Sequence, residues 1–166
     1  MSKLESLPAE MYVGGKPFWE QLGGVAVSLL GESAGEFFDT RNGYRQRMRE
    51  EGHFVTNVLG SITALEKQVP HLHAGELGTL VVIDAVKEYD HQGGDMTFEV
   101  PQIIDQLELE TPAIYVPSNP MNQRLEKALL ERGYAAVVEY SLRPSEVIVN
   151  AARKVTELRA SALQAN

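Results

Sequence analysis

Gly31-Glu32-Ser33-Ala34-Gly35 forms a G-x-S-x-G pattern directly after the apolar stretch Val25 to Leu30. Glycines on both sides of a serine suit a strained strand-to-helix turn that leaves the hydroxyl exposed, so the chemistry on offer is nucleophilic attack on an ester carbonyl. Asp84 and His91 follow in the order Ser, Asp, His, the partners such a hydroxyl needs for deprotonation. A second group is His71-Leu72-His73, whose imidazoles would share one side of an extended segment, with His91 or Asp84 available to complete a metal site. The same segment holds Pro70 and Gly75, the composition of an exposed loop, so no metal site is expected. Arg41, Arg45, Arg47 and Arg49 crowd a third segment. Glu50 and Glu51 balance them, which favours a solvated helix face over a polyanion site.

The elements that must position these groups follow from periodicity and punctuation. Pro8, Gly14 and Gly15 mark residues 1–16 as an N-terminal arm, and residues 17–166 are expected to form a single α/β domain. Pro17 suits the first turn of a helix through Phe18, Trp19 and Leu22, which Gly23-Gly24 would weaken. Val25 to Leu30 is too short for periodicity to separate helix from strand. Tyr44 to Glu51 favours helix by propensity. Around Leu59-Gly60, His53 to Val58 and Ser61 to Glu66 fit a tight hairpin, while Ile62 to Val69 fits a helix equally well. Leu80 to Val86 is a buried central strand by its β-branched composition, followed by a polar loop from Lys87 to Thr97. Val100-Pro101 opens a helix with Ile103, Ile104 and Leu107. Ala113 to Val116 is a strand, Met121 to Arg132 a helix stopped by Gly133-Tyr134, and Ala135 to Leu142 extended again. Ser145 would cap a last helix carrying Ile148, Ala152, Val155 and Leu158.

Composition excludes several classes of function. At 166 residues and 43% hydrophobic the chain can bury one proper core. It has no run of about 18 apolar residues to cross a bilayer and no signal-peptide core at its start, so a cytoplasmic protein is expected. Zero cysteines remove disulfides, thiolate metal sites and thiol nucleophiles. A net charge of -8 disfavours general binding to nucleic acid or anionic membranes.

From residue 80 onward the order strand, helix, strand, helix, strand, helix argues for α/β with a mixed or partly parallel sheet. Val82-Ile83-Asp84-Ala85-Val86, the loop with Gln92-Gly93-Gly94, the strand at Ile114-Tyr115-Val116, Asn122 and Gly133-Tyr134 together resemble the second half of a GCN5-related N-acetyltransferase. The resemblance implies an acetyltransferase-like mixed sheet flanked by helices, with an extra C-terminal helix. It implies strands at 80–86 and 113–116 lying side by side and splayed for a pantetheine arm. It further implies acetyl-CoA as cofactor, held by Val86, Gln92, Gly93 and Gly94, and transfer of its acyl group to an amine acceptor. Asp84 or Glu88 would accept the ammonium proton, and Tyr115 and Asn122 complete the implied catalytic set. Departures from the family pattern point to a degenerate copy. Leu129 stands where the family places its acid, so Tyr115, Tyr134 or Tyr140 would have to replace it, and Asp95 occupies a glycine position.

Two alternatives accompany acyl transfer. Degenerate acetyltransferase-like folds resemble some virion proteins of tailed bacteriophages, which implies an assembly component with protein partners, located in a virion and homo-oligomeric. Gly31 to Gly35 resembles the nucleophile elbow of carboxylesterases, although only 32 residues precede Ser33, too few for the strands that fold places before its elbow.

Overall fold

The computed structural model describes residues 12–13, 16–17, 26–32, 54–72, 77–83, 85–89, 92–109, 111–117, 119–140, 148–155 and 157. Near the start, β1 (Tyr12–Val13) and β2 (Lys16–Pro17) pair as an antiparallel ribbon. Pro17 is therefore extended and does not open a helix; a two-stranded ribbon is all edge, where a residue without an N–H is tolerated. The remainder of that expected helix, and the one expected over Tyr44 to Glu51, lie outside the described residues.

The strand β3 (Ala26–Leu30) is buried along its whole length. It is followed by β4 (Phe54–Leu59) and α1 (Ile62–Gln68). The hairpin alternative at Leu59-Gly60 does not form. Ser61 Oγ accepts from the Ala64 amide at 3.1 Å and caps a helix, and Ile62 and Leu65 turn one face of it into the core. Next come β5 (Thr79–Ile83), the small strands β6 (Lys87–Tyr89) and β7 (Gln92–Asp95), α2 (Val100–Gln106), β8 (Ala113–Val116), α3 (Gln123–Glu131) and β9 (Ala136–Val137). A last helix, α4, covers residues 148–155. Ile148, Ala152 and Val155 are buried on it as their spacing predicts; Ser145 and Leu158 lie outside the described residues.

Five strands form one sheet in the order β4-β3-β5-β8-β9, with every pairing parallel. Side chains alternate between two cores, one on each face. Val27, Leu29, Val81, Ile83, Ile114 and Val116 pack against α4, while Leu80, Val82 and Ala113 pack against α1, α2 and α3. Burial on both faces explains why β3 and β5 are mostly apolar along their length. A polar residue interrupts β3 at Ser28, fully buried, whose hydroxyl pairs with Thr56 Oγ1 at 2.9 Å. The β3–β4 register slips there, so that Val27 faces Val55 and Ser28 faces Asn57, leaving Thr56 as the extra residue of a bulge.

The coarse α/β class stands, but the acetyltransferase-like mixed sheet does not form. That architecture needs the strands at 80–86 and 113–116 to splay. Instead β5 and β8 hold a continuous parallel register from Leu80 opposite Ala113 to Ile83 opposite Val116. The expected strand over Leu80 to Val86 stops at Ile83, and the expected polar loop after it contains the antiparallel hairpin β6–β7, with Lys87 opposite Asp95 and Tyr89 opposite Gln92. Among the described residues, no helix is long and apolar enough to cross a membrane.

Candidate functional site

In a parallel sheet of this order the chain first steps from β3 outward to β4, then crosses back to β5 on the other side of β3 and continues outward to β8 and β9. The two loops leaving the carboxyl ends of β3 and β5 therefore diverge, and the crevice between them is where open α/β sheets take ligands. Here that position is occupied by Gly31-Glu32 after β3 and by Ala85 after β5, with Asp84 joining Ile83 to Ala85 in the sequence. Asp84 itself, like Ser33, His73 and His91, lies outside the described residues.

Backbone hydrogen bonds stitch the crevice together. The Gly31 amide donates to Leu59 O at 3.0 Å, and the Glu32 amide donates to Ala85 O at 3.1 Å. Gly31 lies so close to β5 that a Cβ there would stand 2.4 Å from Ile83 O. The glycine is thus needed for strand-to-strand contact at the switch point, not for room around a serine nucleophile. The Glu32 side chain is exposed at the rim. On the other flank, Lys87 bridges in parallel to Ser61, and Thr63 Oγ1 donates to Glu88 O at 2.7 Å, tying the β6–β7 hairpin to α1.

The other residues singled out in the sequence have different duties. Glu88 is exposed on β6, beyond the loop end at Ala85. Val86 is buried, and its amide donates to Thr97 Oγ1 at 3.1 Å while its carbonyl accepts from the Met96 amide at 2.7 Å. The Val86 amide is thus committed to Thr97 and not available to hold a cofactor. Gln92, Gly93 and Gly94 are exposed in β7, a strand of the hairpin and not a loop entering a helix. Tyr115, on β8, meets the ring of Tyr134 edge to face at 6.0 Å between centroids. Asn122 is an N-cap: its Oδ1 accepts from the Leu125 amide at 2.8 Å. We expect Asn122→Ala to lower the unfolding free energy by about 1 kcal/mol and Asn122→Asp to leave it nearly unchanged, measured by urea denaturation.

Missed in the sequence was Thr97, which is buried. Its hydroxyl donates to Asp95 Oδ1 at 2.5 Å, its amide donates to the same oxygen at 3.0 Å, and its carbonyl accepts from the Tyr134 hydroxyl at 2.5 Å. The Asp-x-Thr spacing before Val100-Pro101 was the available signal, since a carboxylate two residues ahead of a hydroxyl readily closes a turn. Burial, then the neighbouring Tyr115, Asp95 and Glu99, push the Tyr134 hydroxyl well above its ordinary range. It stays protonated and remains a donor.

Cavities lined by described residues also lie away from the switch point. One of about 310 Å³ sits beyond β9, lined by Met121, Glu126, Glu139 and Tyr140 among others. Another, of about 210 Å³, opens near the amino end of β8 between Asp105, Thr111 and Arg132.

No protein-family model and no curated protein matches the chain. Among solved structures, it is similar to the signal receiver domain of the response regulator NarL from Mycobacterium tuberculosis, at 16% identity and a TM-score of 0.53, over 78% of this chain and 96% of that one. This likeness overturns the acetyltransferase resemblance, and with it the expectations of acyl transfer, of a virion assembly component and of an esterase. The acetyl-CoA expectation came from that resemblance alone. What the chain shares with the receiver domain is its fold: a parallel sheet flanked by helices.

Proposed function

We propose that this chain is a signal receiver domain whose input site is the switch-point crevice, with Asp84 as the acceptor of a phosphoryl group. The observation that carries this proposal is the hydrogen bond from the Glu32 amide to Ala85 O, which sets the loop after β3 against the loop that contains Asp84. A carboxylate there can attack the phosphorus of an acyl phosphate: an Asp84 oxygen bonds to phosphorus, the bond to the donor's bridging oxygen breaks, and a carboxylate leaves. The product is a mixed anhydride that adds charge to the loop whose Ala85 carbonyl accepts from Glu32, a change able to reset local packing. Its recipient would be a protein partner, with a second copy of the chain as one form of it.

Incubation with acetyl phosphate and magnesium ions, followed by intact-mass measurement, tests this. The expected result is a gain of one phosphoryl group that neutral hydroxylamine removes and that Asp84→Asn abolishes. Unlabelled wild-type protein, or equal labelling of the variant, would overturn the assignment.

A further inference from the structure

We infer that Thr97 is a positioning residue that couples the turn after β5 to the start of β9, gripping Val86 with its hydroxyl and Tyr134 with its carbonyl. The inference rests on the receiver proposal for its functional meaning, but its geometry stands independently. Val86 lies two residues past Asp84, and the residue between them, Ala85, is bonded to Glu32 across the crevice. A threonine hydroxyl has one hydrogen, and here it is committed to Asp95 at 2.5 Å. The oxygen is thereby turned to accept from Val86 at 3.1 Å, and the Thr97 amide adds a second bond to Asp95 at 3.0 Å. Every polar atom of Thr97 is therefore engaged in one consistent pattern.

On the far side, Tyr134 is only 4% exposed. Its hydroxyl donates to Thr97 O at 2.5 Å, its own amide reaches back to Leu129 of α3 at 3.4 Å, and the next residue, Ala135, bonds Ala113 of β8. Two residues on from Tyr134, Ala136 begins β9. A displacement of residues 85–86 must therefore either carry Thr97 and Tyr134 with it or break buried hydrogen bonds, and unpaired buried polar groups are costly. The route runs from the crevice rim at Glu32 through Ala85, Val86 and Thr97 to Tyr134, and ends at the edge strand and α3.

Amide hydrogen exchange on the full chain tests the coupling. In Tyr134→Phe, which keeps the ring and deletes the hydroxyl, Val86 exchange is expected to accelerate about fivefold to tenfold while Val81, within β5, keeps its wild-type rate. Thr97→Val, which removes the hydroxyl, should accelerate Val86 at least as much, and Thr97→Ser should restore it. An unchanged Val86 rate in Tyr134→Phe, or equal acceleration at Val81 and Val86, would overturn the inference. Phosphoryl uptake from acetyl phosphate gives the functional arm, with an expected change in rate of about threefold or more in Tyr134→Phe. Wild-type protein that takes up no label would sink the receiver proposal alone, because the exchange rates at Val86 judge the coupling either way.

Discussion

Alanine in place of Gly78 is expected to lower the unfolding free energy by about 3–5 kcal/mol, a large fraction of the roughly 5–15 kcal/mol that native domains hold in reserve. Gly78 has φ +63° and immediately precedes β5. The left-handed backbone alone costs an alanine about 1–2 kcal/mol. Steric overlap costs more, since a Cβ at this position would lie 2.1 Å from Ala26 O and 2.5 Å from the carbonyl carbon. Neither partner can withdraw. Ala26 begins the buried strand β3, Gly78 O accepts from Thr111 Oγ1, and Leu80 is bonded to Pro112 O at 2.8 Å. Urea denaturation should show a lower midpoint with an unchanged slope. Gly94→Ala is the control: a Cβ there meets nothing within 4 Å, and the loss should stay within about 0.5 kcal/mol. Equal losses at the two positions would refute the close-approach argument.

Gly31→Ala is expected to cost about 2–4 kcal/mol and, on the receiver proposal, to abolish phosphoryl uptake while the protein is still folded. At φ +152° the added methyl would point at Ile83 O, 2.4 Å away, and Ile83 directly precedes Asp84. Relief requires the carboxyl ends of β3 and β5 to part. That would stretch the bonds from Gly31 to Leu59 and from Glu32 to Ala85, which define the crevice. Stability is read from thermal or urea unfolding, and uptake is read well below the variant's melting temperature. A variant that matches wild type in both would show that the packing at the switch point is looser than described.

Much of the secondary structure was legible from local residues. Val100-Pro101 starts α2 because proline fits a first helical turn, Gly133 stops α3, and the β-branched run around Val81-Val82-Ile83 makes a central strand. The spacing of Ile148, Ala152 and Val155 marks the buried face of α4. The hairpin β6–β7 was not legible: Gln92-Gly93-Gly94 carries no strand propensity, and the ribbon is held by Thr63 and Ser61, residues about 25 positions away. The G-x-S-x-G pattern marked the crevice but suggested the wrong chemistry, because the tight contact that requires Gly31 is with Ile83 O, far along the chain.

Propensity, capping and apolar spacing are properties of neighbouring residues, so they dictated the α/β class, most helix and strand identities, and the burial of β5. Strand order is not such a property. An apolar strand can bury itself beside several partners at similar gain, and only the three-dimensional packing chose the parallel order β4-β3-β5-β8-β9 over a splayed mixed sheet. That choice separated the expected phosphate loop, Gln92-Gly93-Gly94, from any helix start and placed Glu32 against Ala85. It also bound Thr97 to Tyr134, 37 positions away, a contact that no local pattern encodes because it depends on where two distant turns meet.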